Sequence, residues 1–519
     1  MNIANWLYAS SRAYPDRAAV RWGDALHATY AELAARAATI SEQLGRLYNL
    51  RPGDRVAIYA ANCPEYLELL YATWWAGAVA VPVNHKLHPK EATWIAVNAE
   101  ARLVFTETGS QLPSIDLPEG CSEIGIGSQA YAELLTELRS VPAATRKPVE
   151  RSSQDIAWLF YTSGTTGRPK GVMLTHNNLT AMSLTYALDV DQVSQSDHPL
   201  YAAPMSHGAG LYNFPYIRAG ACHVIPRSRG FDPSEIIDMA GSHGNLTFFA
   251  APTMVKRLVD ASKGRGFKGK GIKSIVYGGG PMYASDLDAA LDQLGDIFVQ
   301  IYGQGECPMT ITALPRHLVS DKGHPNWQAR RNSVGIAQAC VSVRVVNADF
   351  TDCAIGETGE IVVSGDPVMR GYWRNQQATD ETLVDGWLRT GDLGHLDADG
   401  FLTLTDRAKD VIISGGSNIY PREVEEVLLM HGSVAEVSVI GMPEPEWGEA
   451  VVAFVVPKKG AICDREHLDT WCKSQMASFK KPKHYVFATE LPKNSYGKIV
   501  KTTLRETAAR DVVTIDRSV

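Results

Sequence analysis

The sequence predicts an α/β protein: a large N-terminal domain of α/β layers with a β-rich subdomain, followed by a small α+β C-terminal domain. Three observations predict it. Short β-rich apolar runs alternate with helical patterns through most of the chain, as βαβ units with parallel sheets require. From about Gly335 the texture changes to short alternating strands joined by Gly/Asp turns. A length of 519 residues is too great for one hydrophobic core.

The elements follow in chain order. Arg55 to Tyr59 reads as a strand, Glu65 to Trp75 as a helix and Val79 to Val83 as a second strand, which makes a βαβ unit. Residues Pro142 to Ser153 form a polar linker. Apolar runs at Ile156 to Phe160 and Val172 to Leu174 flank a stretch rich in glycine and hydroxyls. Strands at Asn245 to Phe249 and Ser274 to Tyr277 repeat the α/β theme. Ser342 to Val346, Glu360 to Val363 and Phe401 to Leu404 build the β-rich subdomain. The second domain is expected to begin near Arg407. There Val411 to Ile413 is a strand, and Pro421 opens a helix with Glu423 and Glu425 well placed near its N-terminus. Val437 to Ile440 and Ala450 to Val456 are strands, and Arg465 to Gln475 is a helix. The expected division is therefore residues 1–406, a junction at 407–410, and 411–519.

Composition excludes several classes. Fifty Lys and Arg against 57 Asp and Glu give a net charge of −7, which argues against a nucleic-acid partner. Eight cysteines with no C-x-x-C pair speak against a disulfide framework or a zinc site, and fit reduced thiols in a cytoplasmic protein. The first residues lack a signal-peptide pattern. The longest apolar stretch, Leu69 to Val83, is too short and interrupted to span a bilayer. The last residues, Asp516 to Val519, are not a Ser-Lys-Leu peroxisomal address. A homodimer is compatible with all of this.

The most informative segment is Tyr161-Thr-Ser-Gly-Thr-Thr-Gly-Arg-Pro-Lys170. It places the hydroxyls of Thr162, Ser163, Thr165 and Thr166, the glycines Gly164 and Gly167, and Lys170 in nine residues. Glycines let backbone N–H groups approach a ligand, hydroxyls donate to phosphoryl oxygens, and lysine adds a point charge. The stretch reads as a loop that grips a polyphosphate, although its spacing is not G-x-x-x-x-G-K-[ST].

Downstream lie Tyr302-Gly303-Gln-Gly305-Glu306, Arg389-Thr-Gly-Asp392, Asp406-Arg-Ala-Lys-Asp410, Gly415-Gly416 and Pro492-Lys-Asn-Ser-Tyr-Gly-Lys498. Together with the phosphate loop, these resemble the motifs of the adenylate-forming superfamily, in the family's order and over essentially the whole chain. That superfamily includes acyl- and aryl-CoA ligases, peptide-synthetase adenylation domains and beetle luciferases. The resemblance implies ATP, Mg²⁺ and coenzyme A as cofactors and substrates, a small-molecule carboxylic acid as the other partner, and a mobile C-terminal lid.

The resemblance also implies residue roles. Glu306 would hold magnesium, as a hard oxygen ligand suits a metal on phosphates. Tyr302, with Gly303 beside it, would pack on the adenine, and Gly278-Gly279-Gly280 would form the floor beneath it and beside the acyl pocket. Asp392 would accept from the ribose hydroxyls, and Arg407 would add a contact to ribose or phosphate. Lys498 would bridge the substrate carboxylate and the α-phosphate. Lys409 matches the hinge, and Gly415, Gly416 and Trp447 match segments facing the pantetheine tunnel. Lys493 and Lys501 read as surface lysines. One departure stands out: members usually carry Thr or Ser where this chain has Gly305. Either a water or another side chain supplies the missing donor, or the acyl pocket extends to this point.

Pro204-Met-Ser-His207-Gly208 matches the segment that gates the acyl pocket. Amino-acid-activating members place an aspartate there, so His207 disfavours an α-amino acid. Phe231-Asp-Pro-Ser234 reads as a helix start. The glycines at 208, 278 to 280 and 305 suggest room for a ring or a bulky chain, and aryl and fatty acids both fit. The expected activity is AMP-forming acid–CoA ligation. A luciferase-like oxygenase and a catalytically silent nucleotide-binding module are the alternatives.

Overall fold

The computed structural model describes all residues except 110–116, 118, 137–145, 163–167, 281, 415–416, 445–446, 495–497 and 516–519, with backbone alone for 511–515. Contacts divide the chain into two compact units. The first comprises Met1–Gly279, Ala290–Val343 and Val363–Leu388, and the second Gly280–Ala289, Arg344–Val362 and Arg389–Val519.

The first unit is built on two six-stranded sheets. In one, Arg55–Ala60 pairs in parallel with Val79–Asn84 and with Ala101–Glu107. The intervening helix Pro64–Trp75 buries every residue but Glu65, which is why its apolar pattern is continuous instead of one-sided. The long apolar stretch is thus the end of a core helix and a central strand. Among the described residues no helix is long and apolar enough to cross a membrane. Ile156–Thr162 and Lys170–Thr175 close this sheet as an antiparallel hairpin.

The second sheet holds the parallel strands Leu246–Ala250, Ile272–Tyr277 and Phe298–Tyr302. Their carboxyl ends lead into Gly278 and Gly303, and ligand sites in α/β sheets gather at such ends. Asp232 caps the helix Pro233–His243, accepting from the N–H groups of Ser234 and Glu235 at 2.8 and 3.0 Å. Phe231 to Ser234 is therefore a helix start, as its sequence implies.

The β-rich region comprises Val341–Val346, Gly359–Gly365, Trp387–Leu396 and Leu402–Arg407. Within the second unit, the helices Pro421–Leu429 and Arg465–Gln475 pack on a sheet of Ser417–Ile419, Ile412–Ser414, Gly448–Pro457, Val434–Glu444 and His484–Phe487. Val424, Leu428, Val437, Val451 and Leu468 are buried in its core. One reading is corrected here. Lys501 is no surface lysine: it is largely buried and paired with Glu425 at 3.2 Å. Burial opposes its charge, yet Glu425, Asp406 and Asp410 together raise its pKa.

Candidate active site

The phosphate loop springs from the open end of the Ile156–Thr162/Lys170–Thr175 hairpin, where Thr162 lies opposite Lys170. Ser163, Gly164, Thr165, Thr166 and Gly167 lie outside the described residues. The Lys170 ammonium sits 4.9 Å over the ring of Tyr372, a cation–π contact worth about 0.5–1 kcal/mol at an exposed site. The Tyr372 hydroxyl in turn donates to Oε1 of Glu306 at 2.7 Å. Burial first, and then the Glu306 charge, push the Tyr372 pKa up, so this group stays a donor.

Main-chain bonds lace these parts together. Met369 N–H donates to the Glu306 carbonyl at 2.8 Å, Arg370 N–H to Met173 at 3.0 Å, Met173 N–H to Gly371 at 2.9 Å and Trp373 N–H to Gly171 at 2.7 Å. Segment 369–373 therefore connects the strand leaving the phosphate loop with the candidate metal ligand. The sequence carries no signal for Tyr372, whose partner is 66 positions away. The donor set suits magnesium. Among the described residues no group of three His, Cys, Asp or Glu could cage a metal ion, and Mg²⁺ typically takes one or two carboxylates plus substrate phosphates and waters.

Gly305 packs against the hairpin. A Cβ there would fall inside the contact distance of the Thr162 γ-methyl and lie 3.1 Å from Cδ1 of Phe160. The space freed by the missing side chain is thus filled, so the acyl pocket does not extend through it. Phe160 also meets the His207 ring edge-on, with centroids 5.1 Å apart. His207 Nδ1 lies 3.1 Å from Ser206 Oγ. Buried Asn62 fixes the approach to His207: it donates to the carbonyls of Tyr201 and Ala203 at 2.8 and 2.9 Å and accepts from Met205 N–H at 2.8 Å. Nothing in the local sequence singles out Asn62.

The other glycines refine the expectation of open walls. A Cβ on buried Gly278 would sit 2.6 Å from the Ile301 carbonyl oxygen, so its lack of a side chain permits close backbone packing, not volume. At Gly303 the Met309 backbone takes the space in the same way. A Cβ on Gly208 would lie 3.2 Å from Met309 Sδ, and one on Gly279 would lie 3.7 Å from the Phe249 ring. Tyr302 is buried at the strand end. Gly280 falls in the second unit.

Within the second unit, Asp392 lies opposite Arg407 on adjacent antiparallel strands, and their side chains pair at 3.2 Å. The Thr390 hydroxyl accepts from Asp392 N–H at 3.1 Å and donates to the Ile361 carbonyl at 2.7 Å, which shapes the Thr-Gly-Asp turn. Lys409 lies in a short 3₁₀ turn. Burial lowers its pKa, aided by Arg407 and Arg505 against Asp410 and Asp392. Asp410 pairs with Arg505 at 2.7 Å.

Trp447 is exposed, with the Lys483 ammonium 5.4 Å over its ring. Gly415 and Gly416 lie outside the described residues. Lys498 is exposed and bonded twice to Asn494, whose N–H donates to the Lys498 carbonyl at 2.8 Å and whose Oδ1 accepts from Lys498 N–H at 3.0 Å.

Two family models match the chain on either side of residues 374–422. That of the AMP-binding enzyme covers residues 7–373, and that of the AMP-binding enzyme C-terminal domain covers 423–498. The chain belongs to the AMP-binding enzyme family. Within that adenylate-forming family it lies in the acyl- and aryl-CoA ligase branch. It is 36% identical over 508 residues to a feruloyl-CoA synthase of Amycolatopsis sp, covering 97% of this chain and 98% of the relative. Among solved structures it resembles ATP-bound MatB from Rhodopseudomonas palustris, with a TM-score of 0.86 at 30% identity over 99% of this chain and 100% of that one. It also resembles O-succinylbenzoate coenzyme A synthetase from Bacillus subtilis in complex with ATP and magnesium ion, with a TM-score of 0.83 at 29% identity over 96% and 99% of the two chains.

Proposed function

We propose that this AMP-binding enzyme is an ATP-dependent acid–CoA ligase. A non-amino carboxylic acid attacks the α-phosphate of ATP, pyrophosphate leaves, and the thiol of coenzyme A then displaces AMP from the acyl-adenylate. The observation that carries the reading is the convergence of the Thr162/Lys170 hairpin end with the Tyr372-held Glu306. It sets a polyphosphate grip beside a carboxylate suited to Mg²⁺, and the site must neutralise anions that would otherwise repel one another.

In this reading Lys170 and the loop it follows bind the β- and γ-phosphates, and Glu306 holds the magnesium that neutralises them. Asp392 and Arg407, already paired across two strands, bind ribose. Lys498 supplies charge to the carboxylate and α-phosphate during adenylation, and Arg407 to Asp410 form the pivot of a small lid domain. His207 stands at the acyl entrance, at the position where amino-acid-activating members carry an aspartate, so a substrate ammonium is disfavoured. The free thiols of all eight cysteines fit a cytoplasmic enzyme. A silent nucleotide-binding module drew its support from Gly305 alone, and that position is packed by Thr162 and Phe160. Incubation with ATP, Mg²⁺, coenzyme A and a panel of acids tests the proposal. AMP and pyrophosphate in step with acyl-CoA are expected; ADP and orthophosphate would overturn it.

A further inference from the structure

Behind the acyl entrance, the first unit encloses a cavity of about 10 Å³, walled by Ala209, Tyr212, Phe249, Tyr186, Tyr216 and Thr247 among others. That is room for roughly one water-sized group. Two walls reach the proposed acyl pocket: Ala209 follows Gly208, and the Phe249 ring faces Gly279.

Apolar walls such as Leu200 and Val276 stand beside a row of hydroxyls at this end. The Tyr186 and Tyr216 hydroxyls are 2.8 Å apart, Tyr216 and Thr247 are 3.1 Å apart, and Thr247 and Ser274 are 2.7 Å apart. Ser274 donates to buried Asp191 at 2.7 Å, and Asp191 is paired with Arg316 at 2.8 Å. The chain of hydroxyls is therefore anchored on a charge. Tyr212 stands beside it, its ring 4.7 Å from that of Tyr186. Its hydroxyl is buried with no hydrogen-bond partner among the described residues. A buried donor left unsatisfied costs about 1–3 kcal/mol, and one retained at a cavity calls for an explanation in a ligand or a water.

We infer that Tyr212 is a specificity-determining residue, and that the acid taken by this ligase is an aryl acid with a hydroxyl at the end remote from its carboxylate. The inference rests on the ligase reading and narrows it. The substrate ring lies beside Ala209 and Phe249, and its hydroxyl fills the oxygen-sized space and bonds the Tyr212 hydroxyl. An alkyl terminus would bury Tyr212 without a partner, whereas a hydroxyl satisfies it. Sites built to bond a substrate hydroxyl discriminate strongly against the analogue that lacks it.

The experiment compares 4-hydroxycinnamate, cinnamate and octanoate as substrates of the wild type and of Tyr212→Phe, and measures calorimetric binding of the two cinnamates to each resting protein. The wild type should prefer 4-hydroxycinnamate over cinnamate by at least about tenfold in kcat/KM. Tyr212→Phe should collapse that ratio to within about threefold. It should melt no lower than the wild type, because the lost hydroxyl has no partner in the free protein. Equal turnover of the two cinnamates by the wild type, or a ratio that survives in Tyr212→Phe, overturns the inference. Octanoate turnover with both cinnamates inert keeps the ligase reading and sinks this one. Hydroxyl-dependent, Tyr212-dependent binding without AMP formation from any acid does the reverse.

Discussion

Gly305→Thr would restore the residue type usual in the family at this position, yet the packing makes it a loss. A Cβ at 305 enters the contact distance of the Thr162 γ-methyl and stands 3.1 and 3.3 Å from Cδ1 and Cε1 of Phe160. A rotation about χ1 could move the methyl, but Thr162 leads into the phosphate loop, and the Phe160 ring is braced by His207. Overpacking of this kind costs about 1–3 kcal/mol. If that strain is expressed in the transition state, kcat/KM falls by about 5- to 150-fold, since ~1.4 kcal/mol is one decade of rate. Pyrophosphate release at saturating ATP, across acids of increasing size, measures it. Thr162→Ser removes the methyl and keeps the hydroxyl, so the double variant should recover most of the loss, a coupling of about 1 kcal/mol or more. A Gly305→Thr enzyme as fast as wild type, or a double variant no faster than the single, refutes the steric reasoning.

Three further outcomes are expected. Tyr372→Phe frees the Glu306 carboxylate from its 2.7 Å donor and should raise the Mg²⁺ concentration for half-maximal activity by about 10- to 100-fold, the usual cost of losing a partner that orients a metal ligand; an unchanged Mg²⁺ titration would count against Glu306 as the ligand. Burial depresses the pKa of His176 to about 4 and that of His223 to about 3. Both stay neutral in the folded state, while the unfolded chain binds protons below about pH 6.5. Stability is therefore full well above that pH and falls as pH drops through it, by roughly 4 kcal/mol between pH 7 and 5 for the pair; urea midpoints at pH 7 and 5 that coincide would contradict the assignment. Lys498→Ala should slow acyl-adenylate formation by about 10²–10³ while a supplied acyl-adenylate still reacts with coenzyme A near the normal rate; equal slowing of both half-reactions would exclude a lid that turns between them.

Local pattern made much of this fold legible. The helix Arg465–Gln475 has the bounds its periodicity implies, and Asp464 explains why it starts there by accepting from His467 N–H. The apolar runs on either side of the phosphate loop are strands, but their antiparallel pairing is not in either run; it emerges from the register of Thr162 with Lys170. Motif residues identified Glu306, Asp392 and Arg407 as candidates, whereas the groups that position them escaped notice. Tyr372, Asn62 and the hydroxyl chain from Tyr186 to Asp191 act on residues far away in sequence, and a lone tyrosine or asparagine has the same local signature whether or not it has such a partner. Lys501 was misread for the related reason that burial of a charge depends on three acidic groups brought in from two other segments.

The lacing of segment 369–373 has a consequence for how this site tolerates change. Four of its bonds to Glu306 and to the strand leaving the phosphate loop are main-chain bonds, so most side chains there can vary without loosening the join. The separation between the Glu306 carboxylate and the hairpin end at Lys170 is written into the backbone when the chain folds. Length is another matter. A single residue inserted between Met369 and Tyr372 would invert the alternation of side chains along the segment, turning the tyrosine away from Glu306 while leaving both loops intact. The segment is thus permissive to substitution and intolerant of insertion, the reverse of an ordinary surface connection.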